Sequence, residues 1–464
     1  MNDPRPDSLV ARRDLAVAVH AAGVAGVDPR SATARGVAAR LADAAPPVWI
    51  IAIGKAAIAM AEAAITTLRD HGVDPSGGVI VAPADGPSPH RALTVLVGDH
   101  PTPNAGSRAA ANAVAALAEQ IAGVGTVFVL LSGGATSLVA APANGVTERD
   151  LTWMFDALLT SGADITVMNA IRKRFTRWGA GRLARALAPA RVHCLIVSDV
   201  VGDDIPSIGS GPCAPDPRSG ADVLDLIERD GLEPFVPRPL RDLLRTPLPG
   251  SEPPPPSDPA FETVECAVIL GNRDALDAAA AAALARGVVP IKVVDEPLLD
   301  DAAFTAQRLV DELVRFREAS LPDADAPAAA RFGCMLWGGE TTVRLGPGAP
   351  ERGGRCQELA LAAADALRAE GERGHGITLL AAGTDGRDGN SDAAGAVVDA
   401  TTWDAIHGAD RDPAHDLAEH RSFDALDAAG ALLRTGLSGT NVGDIVVGIV
   451  EWPTRQAAAN AARA

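Results

Sequence analysis

The sequence predicts an α/β protein of two doubly wound, mostly parallel-sheet domains with a cleft between them. Three observations predict it. Short apolar runs, most of them closed by glycine or a small polar residue, alternate along the chain with longer alanine-rich stretches of helical periodicity. The 464 residues, 47% of them hydrophobic, suffice for two large domains with a core each. The segment Thr246 to Pro259, TPLPGSEPPPPSDP, is rich enough in proline to read as a linker. The expected bounds are therefore 8–250 for the first domain, 260–455 for the second and 246–259 for the linker.

Residues 8–45 carry helical periodicity, which Pro46-Pro47 stops. Val48 to Ile53 reads as a buried strand, followed by Gly54-Lys55 and an alanine-rich helix to Arg69, so Lys55 stands at a strand-to-helix junction. This is no Walker A loop, because Trp49 occupies the place of its first glycine and Ala56 that of its hydroxyl residue. Gly78 to Pro83 and Leu93 to Val97 are further strands. The second runs into GDHPTPNAGS at 98–107, where Asn104 or Ser107 caps a helix extending to Gly123. His100 reads either as a ligand contact or as a turn residue before proline. Val127 to Leu131 delivers Ser132-Gly133-Gly134, which is either an anion cradle of backbone N–H groups or a bare tight turn. Arg172, Lys173, Arg174, Arg177 and Arg182 cannot share one helix face; a solvated face accounts for part of this segment, with one or two side chains reaching a phosphate. Val192 to Val197 ends in Asp199, Asp203 and Asp204, acids beyond a strand and hence on a ligand-facing loop.

Beyond the linker, Thr263 to Leu270 and Val288 to Val294 read as strands flanking a helix that Gly271-Asn272-Arg273-Asp274 begins. A Pro/Ala-rich connection covers 320–331. Gly333 to Trp337 leads into Gly338-Gly339-Glu340-Thr341, and Gly353-Gly354 precede Arg355 in the first turn of a helix. Ile377 to Ala382 is expected as a buried strand of a parallel sheet, with GTDGRDGNSDAAGA at its end. That loop sets Asp385, Asp388 and Asp392 where ligands bind such sheets, or else forms a solvated acidic turn. The turn Thr435 to Asp444 leads into a last strand, Ile445 to Val450.

The net charge of −18 argues against a nucleic-acid partner. The absence of any run of ~18 uncharged apolar residues argues against membrane insertion, and residues 1–7 do not resemble a signal peptide, so a cytoplasmic location is expected. The five cysteines are odd in number and lack metal-binding spacing, which predicts reduced, mostly buried thiols. Only Lys55, Lys173 and Lys292 are lysines against 38 arginines; each lysine is thus a candidate for a role that suits a compact point charge.

No GxGxxG follows a strand, and neither GxSxG nor HExxH occurs. A lysine at a strand end, an arginine at a glycine-flanked helix start, glycine turns and acidic loops suit phosphoryl transfer. In order, IGKAA (53–57), GDHPTPNAGS (98–107), LSGGATSL (131–138), SDVVGDDIPSIGSGP (198–212), GGETTV (338–343), GGRCQELAL (353–361), GTDGRDGNSDAAGA (383–396) and SGTNVGDI (438–445) resemble the class II glycerate 2-kinases. That family joins a DUF4147 amino-terminal domain, Rossmann-like, to a MOFRL carboxyl-terminal domain, and the resemblance covers nearly the whole chain.

The resemblance implies ATP- and Mg²⁺-dependent phosphorylation of the 2-hydroxyl of D-glycerate or a related hydroxy acid. It implies that Lys55 and Arg355 bind phosphates and the substrate carboxylate and that Asp385 is the general base or a metal-linked acid. Ser132, Gly133, Gly134, His100, Asn104, Glu340, Gln357 and Asn441 are expected to bind substrate or nucleotide, and Asp199, Asp203 and Asp388 the metal. The expected partners are a small hydroxy acid and a nucleotide, with no nucleic acid or membrane and with a homodimer left open. The chain departs from the family's pattern at Asn104, Gly179, Cys356 and Asn390, which leaves the acceptor open. The competing readings are a hydroxypyruvate reductase and a sugar-acid-binding homologue without turnover.

Overall fold

The computed structural model describes residues 5–100, 102–163, 165–319, 331–344 and 352–452. The first helix, α1 (Arg5–Gly26), opens the chain. Contacts divide the chain into two compact units, one of Pro29–Leu270 and one of the residues up to Asp28 together with those from Gly271 onward.

The unit Pro29–Leu270 is built on six strands, β1 (Val48–Ile53), β2 (Gly77–Ala82), β3 (Leu93–Val97), β4 (Thr126–Leu131), β5 (Arg191–Val197) and β6 (Val264–Leu270). They pair in the order β3-β2-β1-β4-β5-β6, every pair parallel. This is the strand order of dinucleotide-binding sheets, and the order reverses between β1 and β4. All six residues of β1 and of β4 are buried, because helices cover both faces of the sheet's centre. The helices that matter below are α2 (Ala57–Asp70), α3 (Ala105–Ile121) and α4 (Ile165–Phe175).

The other unit carries α5 (Asn272–Ala285), α6 (Ala302–Ala319) and α7 (Arg355–Ala369) around a second sheet. Its strands are β7 (Ile291–Val293), β8 (Phe332–Gly339), β9 (Ile377–Gly383), β10 (Gly395–Asp399), β11 (Leu432–Leu433) and β12 (Asp444–Glu451), in the order β11-β10-β9-β12-β8-β7. The α/β class with two sheets holds, but this sheet is mixed rather than mostly parallel. Among the described residues only β7 and β8 pair in parallel; β9 is buried throughout, as expected, yet runs antiparallel to both its neighbours. Burial of every residue marks a central strand without marking its direction, so the apolar run could not show this.

The units also run differently from the expected bounds. Helix α1 packs on α5, where glycines meet alanines: a Cβ on Gly26 would lie 2.3 Å from Ala278 Cβ, and one on Gly23 3.0 Å from the Ala275 carbonyl. Buried Arg12 of α1 pairs with Glu451 and donates to Thr378 Oγ1 at 3.2 Å. Residues 246–259 lie within the Pro29–Leu270 unit. They are held there by Arg182, which donates to the Ser251 carbonyl at 2.7 Å, and by Arg174, which reaches Glu252 at 3.1 Å. Apart from Arg331, the expected connection 320–331 lies outside the described residues. No described helix is long and apolar enough to cross a membrane.

Candidate active site

In the Pro29–Leu270 unit, β1 and β4 end side by side where the sheet order reverses. Gly54 leaves β1 at φ +133, a conformation that favours glycine. A Cβ there would stand 2.2 Å from Ser132 Oγ. The Lys55 N–H donates to the Gly133 carbonyl at 2.9 Å and the Ala56 N–H to Ser132 Oγ at 3.0 Å. Ser132 thus binds the entry to α2, and its hydroxyl spans the two strand ends. Lys55 is exposed. Gly134, at φ +83, lies beside His100 and Lys55: a Cβ on it would be 3.1 Å from His100 Cδ2 and 3.8 Å from Lys55 Cγ. Desolvation and the Lys55 charge hold His100 below its ordinary pKa. Lys55, His100 and the Ser132-Gly133-Gly134 turn are therefore brought together.

Asn104 precedes α3 as its cap residue but makes no side-chain cap bond. The cap comes from Asp99, whose Oδ2 accepts from Ser107 N–H at 2.9 Å while Ser107 Oγ accepts from the Asp99 N–H at 3.0 Å. Asp199 and Asp203 lie on the loop after β5, Asp203 in the left-handed region at φ +53. That loop reaches the turn after β4 through Ser210 and Thr136, whose hydroxyls are 2.9 Å apart.

The basic segment behaves differently from the expectation. Arg172, Lys173 and Arg174 are buried. Arg172 donates to the Phe155 carbonyl at 3.0 Å, and Lys173 pairs with Asp216 at 3.0 Å and donates to the Pro206 carbonyl at 3.2 Å. Arg182 donates to five backbone carbonyls, those of Lys173, Arg174, Thr176, Gly179 and Ser251. These cations brace the fold. Gly179 has no room for a side chain: a Cβ would lie 2.6 Å from both the Lys173 carbonyl and Thr176 Oγ1.

In the second unit the acidic loop after β9 and the loop before β12 are joined by Thr384. Its Oγ1 donates to the Gly443 carbonyl at 2.7 Å and accepts from the Val442 N–H at 2.9 Å. Asp385 is half-buried at the loop's start, its Oδ1 accepting from the Arg387 N–H at 2.9 Å. Gly386 permits the approach of the other loop, since a Cβ there would lie 1.9 Å from the Gly436 carbonyl. Arg355 begins α7, and its Nε and one terminal nitrogen donate to the two oxygens of Asp444 at 2.6 and 3.0 Å. The other terminal nitrogen pairs with Glu340 at 2.6 Å. Burial works against the Arg355 charge, but Asp444 and Glu340 outweigh it and hold the guanidinium well above its ordinary pKa.

Asp388 and Gln357, expected at metal and substrate, turn inward. The Asp388 oxygens accept from the Cys356 and Gln357 N–H groups at 3.2 and 2.8 Å, capping α7. Gln357 is fully buried and donates to Asp388 and Ser391 at 3.0 and 2.8 Å. Burial and the Asp444 charge push the Asp388 pKa up to about 6. Cys356 packs in the core. Asn390 accepts from the Gly353 N–H at 2.9 Å, so both departures support the start of α7. Asn441 is half-buried beside Gly443, whose N–H it accepts at 3.4 Å.

The sequence does not single out Asp444, the carboxylate that grips Arg355. Its signal is a carboxylate immediately ahead of the apolar run Ile445 to Val450. Behind it, Asn272 donates to the Val442 and Asp444 carbonyls, both at 2.9 Å.

Two family models match the chain. A family model described as a domain of unknown function, DUF4147, matches residues 15–245, and one described as the MOFRL family matches 333–444. A D-glycerate 2-kinase of Thermotoga maritima is 35% identical over 410 residues, 87% of this chain and 90% of the relative. The chain belongs to this glycerate-kinase-like family. Another member, from Agrobacterium vitis and provisionally named a hydroxypyruvate reductase, is also 35% identical, over 94% of each chain. The crystal structure of a glycerate kinase from Thermotoga maritima superposes with a TM-score of 0.77 at 31% identity, covering 96% of this chain and 100% of that one.

Proposed function

We propose that the chain is an ATP-dependent phosphotransferase of the glycerate-kinase type, phosphorylating the 2-hydroxyl of D-glycerate or a closely related hydroxy acid to give the 2-phosphate and ADP. The observation that carries this reading is the seating of Lys55 against the Ser132-Gly133-Gly134 turn where the parallel sheet reverses its order. A point charge beside a glycine turn at such a reversal suits an anionic phosphate. The family members named as glycerate kinases support it.

Among the described residues no group of three or more His, Cys, Asp or Glu side chains is arranged to hold a metal. Magnesium that arrives with nucleotide phosphates needs only one or two protein carboxylates, and Asp199 and Asp203 on the loop after β5 fit that need. When bound, the ion would neutralise phosphate charge and orient the transferred group. Lys55 and the turn after β4 hold phosphate oxygens. Arg355 presents its guanidinium to the carboxylate of the acceptor; three of its five N–H donors are engaged by Asp444 and Glu340, which fix its plane. Asp385 accepts the proton of the acceptor hydroxyl. All five cysteines are unpaired, which fits a reducing, cytoplasmic setting.

The test is ADP release from ATP with magnesium and D-glycerate, tartronate or threonate in turn, with phosphorus NMR of the product to place the phosphate. The second reading, a hydroxypyruvate reductase, has the names of two relatives in its favour. NADH oxidation by hydroxypyruvate without ATP, together with no ADP from any of the three acids, would overturn the kinase in its favour.

A further inference from the structure

The five cysteines are scattered along the sequence, yet three of them meet in the Pro29–Leu270 unit. Cys194 on β5 and Cys266 on β6 are register partners. On neighbouring parallel strands such partners stand ~4.8 Å apart and leave the same face of the sheet. That separation lies within the Cα range that a disulfide spans. The Cys266 thiol donates to the Cys213 carbonyl at 3.6 Å, and Cys266 packs against the apolar cluster to which Cys194 and Cys213 belong. Cys194 and Cys213 are sealed in the core at 1% exposure. Cys266 is half-buried on β6, the edge strand of its sheet. A small oxidant therefore has one point of entry, and the thiol behind it is within reach.

The thiols also differ chemically. The neighbouring Cys194 thiol holds the Cys266 thiol below its ordinary pKa, against the effect of burial. The thiols of Cys213 and Cys266, followed by burial, hold Cys194 well above its own. Thiolate character thus gathers on the more exposed sulfur, where oxidation is favoured.

We propose that this cluster is a peroxide-sensitive thiol site, in which Cys266 is the thiol attacked and Cys194 the thiol that resolves it. The Cys266 thiolate attacks one oxygen of hydrogen peroxide; the O–O bond breaks, hydroxide leaves and takes up the thiol's proton as water, and Cys266 becomes a sulfenic acid. The Cys194 sulfur then attacks the Cys266 sulfur, and the S–O bond breaks. The departing hydroxide leaves with the Cys194 proton as a second water. Two thiols lose two electrons, one peroxide becomes two waters, and a disulfide joins β5 to β6.

The full chain is exposed to hydrogen peroxide, unfolded in denaturant with iodoacetamide, and mapped by mass spectrometry. Two of the five thiols are expected to escape alkylation, in peptides joined through Cys194 and Cys266, and dithiothreitol should restore both. Cys266→Ser should abolish the loss, and Cys194→Ser should leave a sulfenic acid at Cys266 that dimedone traps. Should Cys194→Ser not fold, dimedone present during peroxide treatment of the unaltered chain reads the same adduct. Retention of all five thiols, a disulfide that excludes Cys266, or an undiminished loss in Cys266→Ser would each overturn the proposal.

Discussion

Arg355 and Asp444, 89 positions apart in sequence, face each other as a two-pronged ion pair at 2.6 and 3.0 Å. The arginine heads α7 and the aspartate heads β12, so one pair fixes a helix start to a strand start. Glu340, at the end of β8, holds the remaining terminal nitrogen at 2.6 Å. A guanidinium gripped on two sides cannot rotate freely, so the acceptor carboxylate proposed for it would have to fit its fixed plane.

Asp444→Asn keeps the shape of the carboxylate but weakens the fork. It should lower kcat/KM about a hundredfold through misplacement of Arg355. Steady-state kinetics with ATP and glycerate checks this, and unchanged kcat/KM would mean that the orientation of Arg355 is immaterial.

Lys55 is exposed at the end of β1 and contributes little to packing. Lys55→Ala should reduce kcat by roughly 10²–10³-fold with little change in the thermal midpoint. Lys55→Arg should not restore it, because the wider fork must share the space beside Gly134 and His100. Parallel kinetics and thermal scans separate the two effects.

Lys173 and Asp216 are buried together, with side-chain exposures of 1% and 0%. Asp216 Oδ2 accepts no hydrogen bond, and the next cation, Arg174, lies 4.0 Å away. Lys173→Met should destabilise the protein by about 3–5 kcal/mol by stranding a buried charge. Adding Asp216→Leu should recover much of that in urea unfolding.

His20, on α1, is buried behind Asp444, and burial lowers its pKa from 6.5 to about 4 against a hydrogen bond to the Ala382 backbone and the Asp444 charge. The unfolded chain takes up a proton near pH 6.5 and the folded chain only near 4. Between those values the unfolded state binds more protons, so stability falls as pH falls. Relative to His20→Gln, the unaltered chain should lose roughly 3 kcal/mol across that window. Denaturant unfolding at stepped pH should show the two curves parting below pH 6.5; parallel curves would place His20 in water.

Much of this was legible because strand ends announce themselves. The junctions at Lys55, Ser132 and Asp385 fall where apolar runs meet glycine, and the structure puts each at the end of a buried strand. Direction within a sheet was not legible: Ile377 to Gly383 reads alike whether its neighbours run with it or against it. The arginines and Lys173 of α4 looked solvated because their partners, Phe155, Asp216 and Glu252, lie 17 to 78 positions away. Asp444 was hidden for the same reason, since nothing near it in sequence names Arg355. Gln357 and Asp388, next to plausible ligands in sequence, point inward because the first turn of α7 needs its N–H groups satisfied.

Ser8 and Arg12 of α1 both bond Glu451 at the far end of β12, contacts spanning 443 and 439 positions. During synthesis α1 therefore leaves the ribosome long before the strand that receives it. The whole Pro29–Leu270 unit can fold in the interval, while the apolar face of α1 waits without its partners. Losing β12 would thus cost more than a strand: it would strip Arg355 of Asp444 and leave α1 with part of its seat missing.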